Sequence, residues 1–222
     1  MVPLNSSVPR MSMINTKFPR TAGSGGFTLI EMLVVIAIIT ILATAMLPGL
    51  SGVVQGFDLT TAGQSVSDQV TLARQMALAK NRNAEVRFYK KKATVGDAVS
   101  FRGVQIWTQV SENGAIVYRP ATRAVWLREG FKVIENETYS PLIGSEFSAY
   151  QGTGTTDAPL PRGVESYVAV RFRPTGSPEA ALKASNNFVT IVSERETGAA
   201  LPKNYYTVQI DPLTGRPTTY RP

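Results

Sequence analysis

Residues 32–47 form an uncharged apolar run, and a single carboxylate, Glu31, stands at its head within Gly26-Phe27-Thr28-Leu29-Ile30-Glu31. As a helix rising 1.5 Å per residue, residues 27–47 would reach about 31 Å, the thickness of a hydrocarbon core of about 30 Å. An acid in such a segment is costly, about 2.5–3.5 kcal/mol for an Asp at the helix centre on insertion scales. A charge kept there is a candidate for function. An ordinary anchor would explain the length of the run but not Glu31 or the pair Gly25-Gly26. A secretory signal peptide has a shorter apolar core followed by a small-x-small cleavage site, and neither feature is present.

Gly26 has no side chain, so its peptide bond can enter a narrow peptidase cleft in an extended conformation. Cutting there frees an amine, with a pKa of about 7.7–8, one helical turn from Glu31. The carboxylate can answer that amine in its own chain, near the positive end of the helix dipole, or in a neighbouring helix of a bundle.

The hexapeptide resembles the processing site of the type IV prepilin family, which includes the pseudopilins of type II secretion systems. The resemblance implies cleavage between Gly26 and Phe27 by a membrane aspartyl prepilin peptidase, and N-methylation of Phe27. It gives Glu31 a role in assembly. Residues 1–26 are then a leader that is removed. Arg10, Lys17 and Arg20, with no acid, hold it in the cytoplasm by the positive-inside rule. The body is delivered to the periplasm or the outside of a single-pass inner-membrane protein, which then enters a filament. The implied partners are the peptidase, other pilins or pseudopilins through the N-terminal helix, the inner-membrane assembly platform, and lipid before assembly.

The formal charge of +7 falls in part on the leader and does not by itself indicate nucleic acid. The chain has neither cysteine nor histidine. That excludes disulfides, a Cys- or His-based zinc site and a Ser-His-Asp triad. No paired acids share a credible face, and Gly23-Ser24-Gly25-Gly26 lacks the Lys-Ser or Lys-Thr of a phosphate loop. The chain is expected not to be an enzyme, and no cofactor is expected. Asp211, beside a proline, is expected to form a turn rather than to bind calcium.

Along the chain, residues 27–50 read as the transmembrane and assembly helix, with an interruption at Pro48-Gly49 and a weak spot at residues 58–63. Residues 51–81 read as an amphipathic helix. Val66, Val70, Ala73 and Ala77 make one stripe, widened by Leu72, Met76 and Ala79. Residues 82–222 read as an antiparallel β body. Strands are expected over residues 84–90, 103–110, 115–119, 124–127, 131–134, 167–173, 187–193 and 205–210. Val86 and Phe88 lie on one face with Arg87 and Tyr89 on the other, and Val168, Val170 and Phe172 alternate with Ala169, Arg171 and Arg173, a half-buried pattern. Residues 141–163 are rich in Gly, Thr, Ser and Pro and read as a long surface loop, most mobile at residues 154–156.

One helical arm followed by antiparallel strands is an α+β arrangement. Leu72-Ala73-Arg74-Gln75-Met76-Ala77, Phe172-Arg173-Pro174-Thr175-Gly176 and Ile210-Asp211-Pro212-Leu213-Thr214-Gly215-Arg216 sharpen the comparison. They resemble landmarks of the H-type minor pseudopilin and FimT-type minor pilin domain, and the chain is similar to the pilin-like proteins called Verru_Chthon cassette protein D. The resemblance implies a pilin-like fold, with a long N-terminal helix packed on an antiparallel sheet, and a minor subunit of a pilus or pseudopilus. The alternative is a binding module carried on such a filament, as in FimT-type pilins that bind DNA through a Gly-Arg-x-Arg element. Here Gly215-Arg216-Pro217-Thr218 has the first arginine alone. Arg82, Arg87, Lys90, Lys91 and Lys92 form a basic corner, and Trp107, Tyr118, Trp126 and Tyr139 could stack on bases. The plainer reading is lysines that blunt a sheet edge and aromatics that pack the sheet. Nucleic acid is therefore not the expected partner.

Overall fold

The computed structural model describes residues 26–92, 98–144, 151–153, 160–179, 187–196 and 200–222, with the backbone alone for 45–53 and 151. The leader before Gly26, and residues 154–156 expected to be most mobile, lie outside the described residues. The chain divides into two compact units, Met1–Leu47 and Pro48–Pro222.

Helix α1 is assigned over Leu29–Lys80. Its assignment continues through Pro48 and Gly49, so the expected interruption does not end it; a proline removes one backbone bond and can bend a helix without stopping it. The expected weak spot is also helical. The hydroxyls of Thr60 and Thr61 bond back to the carbonyls of Gly56 and Phe57 at 3.1 and 3.0 Å. Gly63 lies under the Tyr206 ring, where any Cβ would overlap ring carbons. The glycine serves close packing rather than flexibility.

In the second unit the buried stripe of α1 is Leu59, Ala62, Val66, Val70, Ala73 and Ala77. Their spacing of three and four residues keeps them on one face. Leu72 and Met76 pack partly against the same core. Ala79 is exposed, because two positions past Ala77 it lies about 200° round the helix from the buried stripe. It ends on Asn81, at φ 49°, with Arg82 N–H donating to the Ala77 carbonyl at 3.3 Å and Asn81 N–H to that of Leu78 at 3.4 Å. That is a Schellman termination, which satisfies carbonyls the helix leaves open.

The sheet contains β1 (Ala84–Lys92), β2 (Val99–Glu112), β3 (Ala115–Pro120), β4 (Val125–Trp126), β5 (Phe131–Val133), β6 (Gln151–Gly152), β7 (Val164–Phe172), β8 (Phe188–Ser193), β9 (Tyr206–Ile210) and β10 (Pro217–Tyr220). The pairings are antiparallel, in the order β10-β9-β8-β5-β2-β1-β7-β6, with β3 and β4 also against β2. Val86, Phe88, Val104, Ile106, Val168, Val170 and Phe172 point to the helix and complete the core. Arg221, near the C-terminus, bonds the Thr60 hydroxyl of α1 and Asn204.

Two short strands, β6 and β10, go beyond the expected set. The stretch expected as a surface loop opens instead with a 3-10 turn, Pro141–Ile143, whose Leu142 and Ile143 are buried. Apolar residues two in number are enough to pin a loop when both face the core.

The face of β1 away from the helix is also covered. Glu85 is 1% exposed, Arg87 6% and Tyr89 0%. Burying such charges requires partners. Glu85 receives Arg87 at 2.5 Å and Arg171 at 3.1 Å, and Arg171 reaches Glu179 at 3.3 Å. The Arg87 guanidinium lies 3.7 Å from the Trp107 ring centroid and 4.1 Å from that of Tyr167. Trp107 Nε1 donates to the Tyr89 hydroxyl at 2.7 Å, and that hydroxyl donates to Gln105. Burial pushes the Tyr89 phenol up to about 12, although the Trp107 donor and Arg87 oppose it.

Candidate functional site

The helix begins two residues after Phe27, the residue that follows the expected scissile junction. Gly26, Phe27 and Thr28 are not helical, and α1 starts at Leu29. No atom lies within 4 Å of where a Gly26 Cβ would be, and Phe27 is 71% exposed. The junction is therefore open and non-helical, the form in which a peptide bond enters a protease cleft.

Thr28 and Glu31 close a capping box. The Glu31 N–H donates to Thr28 Oγ1 at 3.3 Å, and the Thr28 N–H donates to Glu31 Oε2 at 3.4 Å. The Thr28 hydroxyl donates to the same carboxylate oxygen at 3.4 Å. Two helix-start donors are satisfied reciprocally, and the acid sits where the macrodipole favours it. The signature Thr-x-x-Glu before an apolar run was present in the sequence, yet the cap was not part of the expectation. Glu31 thus has a partner inside its own chain before any neighbour arrives.

Further along, Thr40 and Thr44 donate to the carbonyls of Ile36 and Ile41 at 2.7 and 2.9 Å. The polar side chains from Thr28 to Thr44 are satisfied within the helix, as an apolar surrounding demands. Leu29, Ile30, Leu33, Ile36, Ile39 and Ile41 are exposed. Among the described residues, no helix is long and apolar enough to cross a membrane. The described side chains of this run end at Thr44, about 22 Å from Leu29 at 1.5 Å per residue.

The basic candidates are spread apart. Lys90 pairs with Glu135 at 2.6 Å, Lys91 lies 4.7 Å from the Trp126 ring centroid, and Lys92 approaches Glu165 at 3.9 Å. Arg87 belongs to the buried network. Arg216 is exposed at the turn before β10. Its neighbour Gly215 abuts Phe172, which pairs with Ala84 at the start of β1, whereas the lysines close β1. Trp107 is buried, and Trp126 covers Gly103, where a Cβ would overlap its ring.

A cleft of about 430 Å³ is lined by Arg102, Lys132, Glu135, Glu194 and Glu196 among others. Its opposite charges face one another, and Arg102 pairs with Glu194. Asp211 Oδ1 accepts from the N–H groups of Leu213 and Thr214 at 3.1 and 2.6 Å and from the Thr214 hydroxyl at 2.8 Å. These donors, the Thr214 N–H foremost, hold its carboxyl below the ordinary value of 3.8. Among the described residues, no three His, Cys, Asp or Glu side chains are placed to hold a metal ion.

Residues 22–47 match the family model described as the prokaryotic N-terminal methylation motif. Comparison with curated proteins gives no significant match. Among solved structures, the chain is similar to the minor pseudopilin EpsH from the type 2 secretion system of Vibrio cholerae. That similarity is at 10% identity and a TM-score of 0.38, covering 74% of this chain and 96% of the other. The segment on which the N-terminal helix opens is thus similar to the prokaryotic N-terminal methylation motif.

Proposed function

We propose that the protein is a minor pilin or pseudopilin subunit, cleaved after Gly26, N-methylated on Phe27 and assembled into a type IV pilus-like or type II secretion filament. The observation that carries this reading is the exposed Gly26-Phe27 junction leading directly into an apolar helix capped by Glu31. Residues 27–47 hold the unassembled subunit in the cytoplasmic membrane, with the leader inside and the β body outside. The prepilin peptidase, neighbouring subunits and an assembly platform are its partners. Its work is structural, and no catalytic step is assigned to it.

Cleavage creates a cationic amine beside the Thr28–Glu31 box. On entering a bundle of like helices, that amine needs a carboxylate, because an unpaired buried charge costs several kcal/mol. Glu31 supplies it, its own or a neighbour's. A DNA-binding reading is not favoured, since Lys90, Lys91 and Lys92 face carboxylates and rings.

The test is expression of variants with partner subunits, followed by shearing and probing of sheared and membrane fractions. A bulky residue at Gly26 blocks cleavage. Glu31→Ala leaves cleavage largely intact and reduces incorporation. Wild-type incorporation of Glu31→Ala would remove the pairing mechanism, and an intact leader in the presence of active peptidase would remove the whole proposal.

A further inference from the structure

The hairpin joining β2 and β3 turns on Asn113-Gly114, with φ 52° at Asn113 and 79° at Gly114. Both residues are exposed, and no atom lies within 4 Å of where a Gly114 Cβ would be. No hydrogen bond among the described residues engages the Asn113 side chain or the Gly114 N–H. The amide carbon and the backbone nitrogen that follows it are therefore both uncommitted, at the tip of a solvent-facing turn.

Each of the other described asparagines of the body lacks at least one of these features. Asn187 is 1% exposed, donates to the Ile210 carbonyl at 2.7 Å and precedes Phe188. The Asn136 side-chain oxygen is held by the Thr138 N–H at 2.8 Å, and Glu137 follows. Asn204 receives Arg221 and precedes Tyr205. Asn81 and Asn83 are followed by Arg82 and Ala84, whose side chains crowd the backbone nitrogen.

We propose that Asn113 is a self-modification site at which the chain deamidates through a cyclic imide. The Gly114 nitrogen attacks Asn113 Cγ and loses its proton to water. A bond forms between that nitrogen and Cγ, the bond from Cγ to the amide nitrogen breaks, and the amide nitrogen takes a proton from water and leaves as ammonia. Water then opens the ring at one of two carbonyls. Opening at Cγ leaves aspartate; opening at the backbone carbonyl leaves isoaspartate, with the main chain rerouted through the side chain. No oxidant, reductant or cofactor is consumed. Glycine is the one residue without a side chain to hinder the attack, and its tolerance of positive φ is what the tight turn requires.

Either product changes the hairpin. Aspartate places a new carboxylate beside Glu112, whose own carboxylate pairs with Arg119 at 2.5 Å. Isoaspartate adds a backbone atom to a two-residue turn, so the closing register of Glu112 with Ala115 is lost. The proposal is independent of the filament reading.

The full chain, extracted in detergent and held folded at mildly alkaline pH, is sampled over time by peptide mass mapping and by isoaspartyl methyltransferase labelling. A urea-denatured sample runs beside it. The expected result is that label and amide-to-acid mass change concentrate in the peptide containing residue 113, and that Asn113→Gln loses both. The glutamine keeps an amide but must form a larger ring. Conversion at residue 113 in the denatured sample alone would overturn the proposal, as the folded turn would then be protective. So would label unchanged in Asn113→Gln, or conversion led by Asn136, Asn187 or Asn204.

Discussion

The Nε of Arg74 donates to the backbone carbonyl of Thr214 at 2.6 Å and ties the end of α1 to the last turn of the chain. Beside it, Gly176 and Gly215 meet, at φ 80° and 68°, so closely that a Cβ on Gly215 would overlap the Gly176 carbonyl oxygen. Arg74, the Pro-Thr-Gly turn and the Asp-Pro-Leu-Thr-Gly turn are far apart in sequence and form one corner. Their role is to lock the helix end against two strand ends.

Gly215→Ala should therefore destabilise the β body beyond the ordinary cost of a surface change. The left-handed backbone alone costs about 1–3 kcal/mol for a residue with a side chain, and the overlap with Gly176 adds to it. Urea unfolding of a fragment starting near residue 51 measures the loss. An alanine variant as stable as the parent would show that the two turns can separate freely.

Lowering the pH should loosen the same corner late. The folded carboxyl of Asp211 titrates below 3.8 because the Thr214 and Leu213 donors favour its charged form. Its contribution is present above the unfolded pKa and is lost as pH falls through the folded one. An NMR titration of Asp211 reads this directly, and Asp211→Ala should remove the step while leaving the neutral-pH fold in place.

Glu85→Ala should be among the most damaging single changes in the body. It leaves Arg87 buried without its carboxylate, a loss of about 3–5 kcal/mol for a broken buried pair. Replacing Glu85 and Arg87 together with apolar residues should recover much of that. Alkaline titration followed by ultraviolet absorbance checks the neighbouring phenol: Tyr89 ionises near 12. Unfolded tyrosine ionises near 10, so this group costs stability as pH rises between those values.

Glu31→Gln separates the helix cap from the charge. Glutamine can accept the Thr28 N–H as glutamate does, so the capping box survives. The variant should keep its first helical turn, read by amide exchange at residues 29–31, yet enter filaments as poorly as Glu31→Ala. Thr28→Val should do the reverse at the helix start, with a cap loss of about 0.5–2 kcal/mol.

Strands β1, β2, β3, β7, β8 and β9 and the buried stripe of α1 were legible because period-two and helical patterns extended over enough residues. Strands β6 and β10 were not, since Gln151-Gly152 and Pro217-Thr218-Thr219-Tyr220 show no apolar alternation. The burial of Glu85 and Arg87 was not legible, because alternation reports two faces without saying what covers the second. Their partners, Arg171 and Trp107, come from other strands, which a single segment cannot reveal. At the N-terminus, by contrast, Thr28 and Glu31 are three residues apart, so their capping box was legible in the Thr-x-x-Glu spacing although it was not among the expectations.

Arg221 reaches back to Thr60, across 161 positions of chain. The segment after β10 thus lies against α1 at Thr60. A label fused after Pro222 would emerge beside the helix rather than at the far pole of the sheet, and would report on whatever approaches α1 near residue 60.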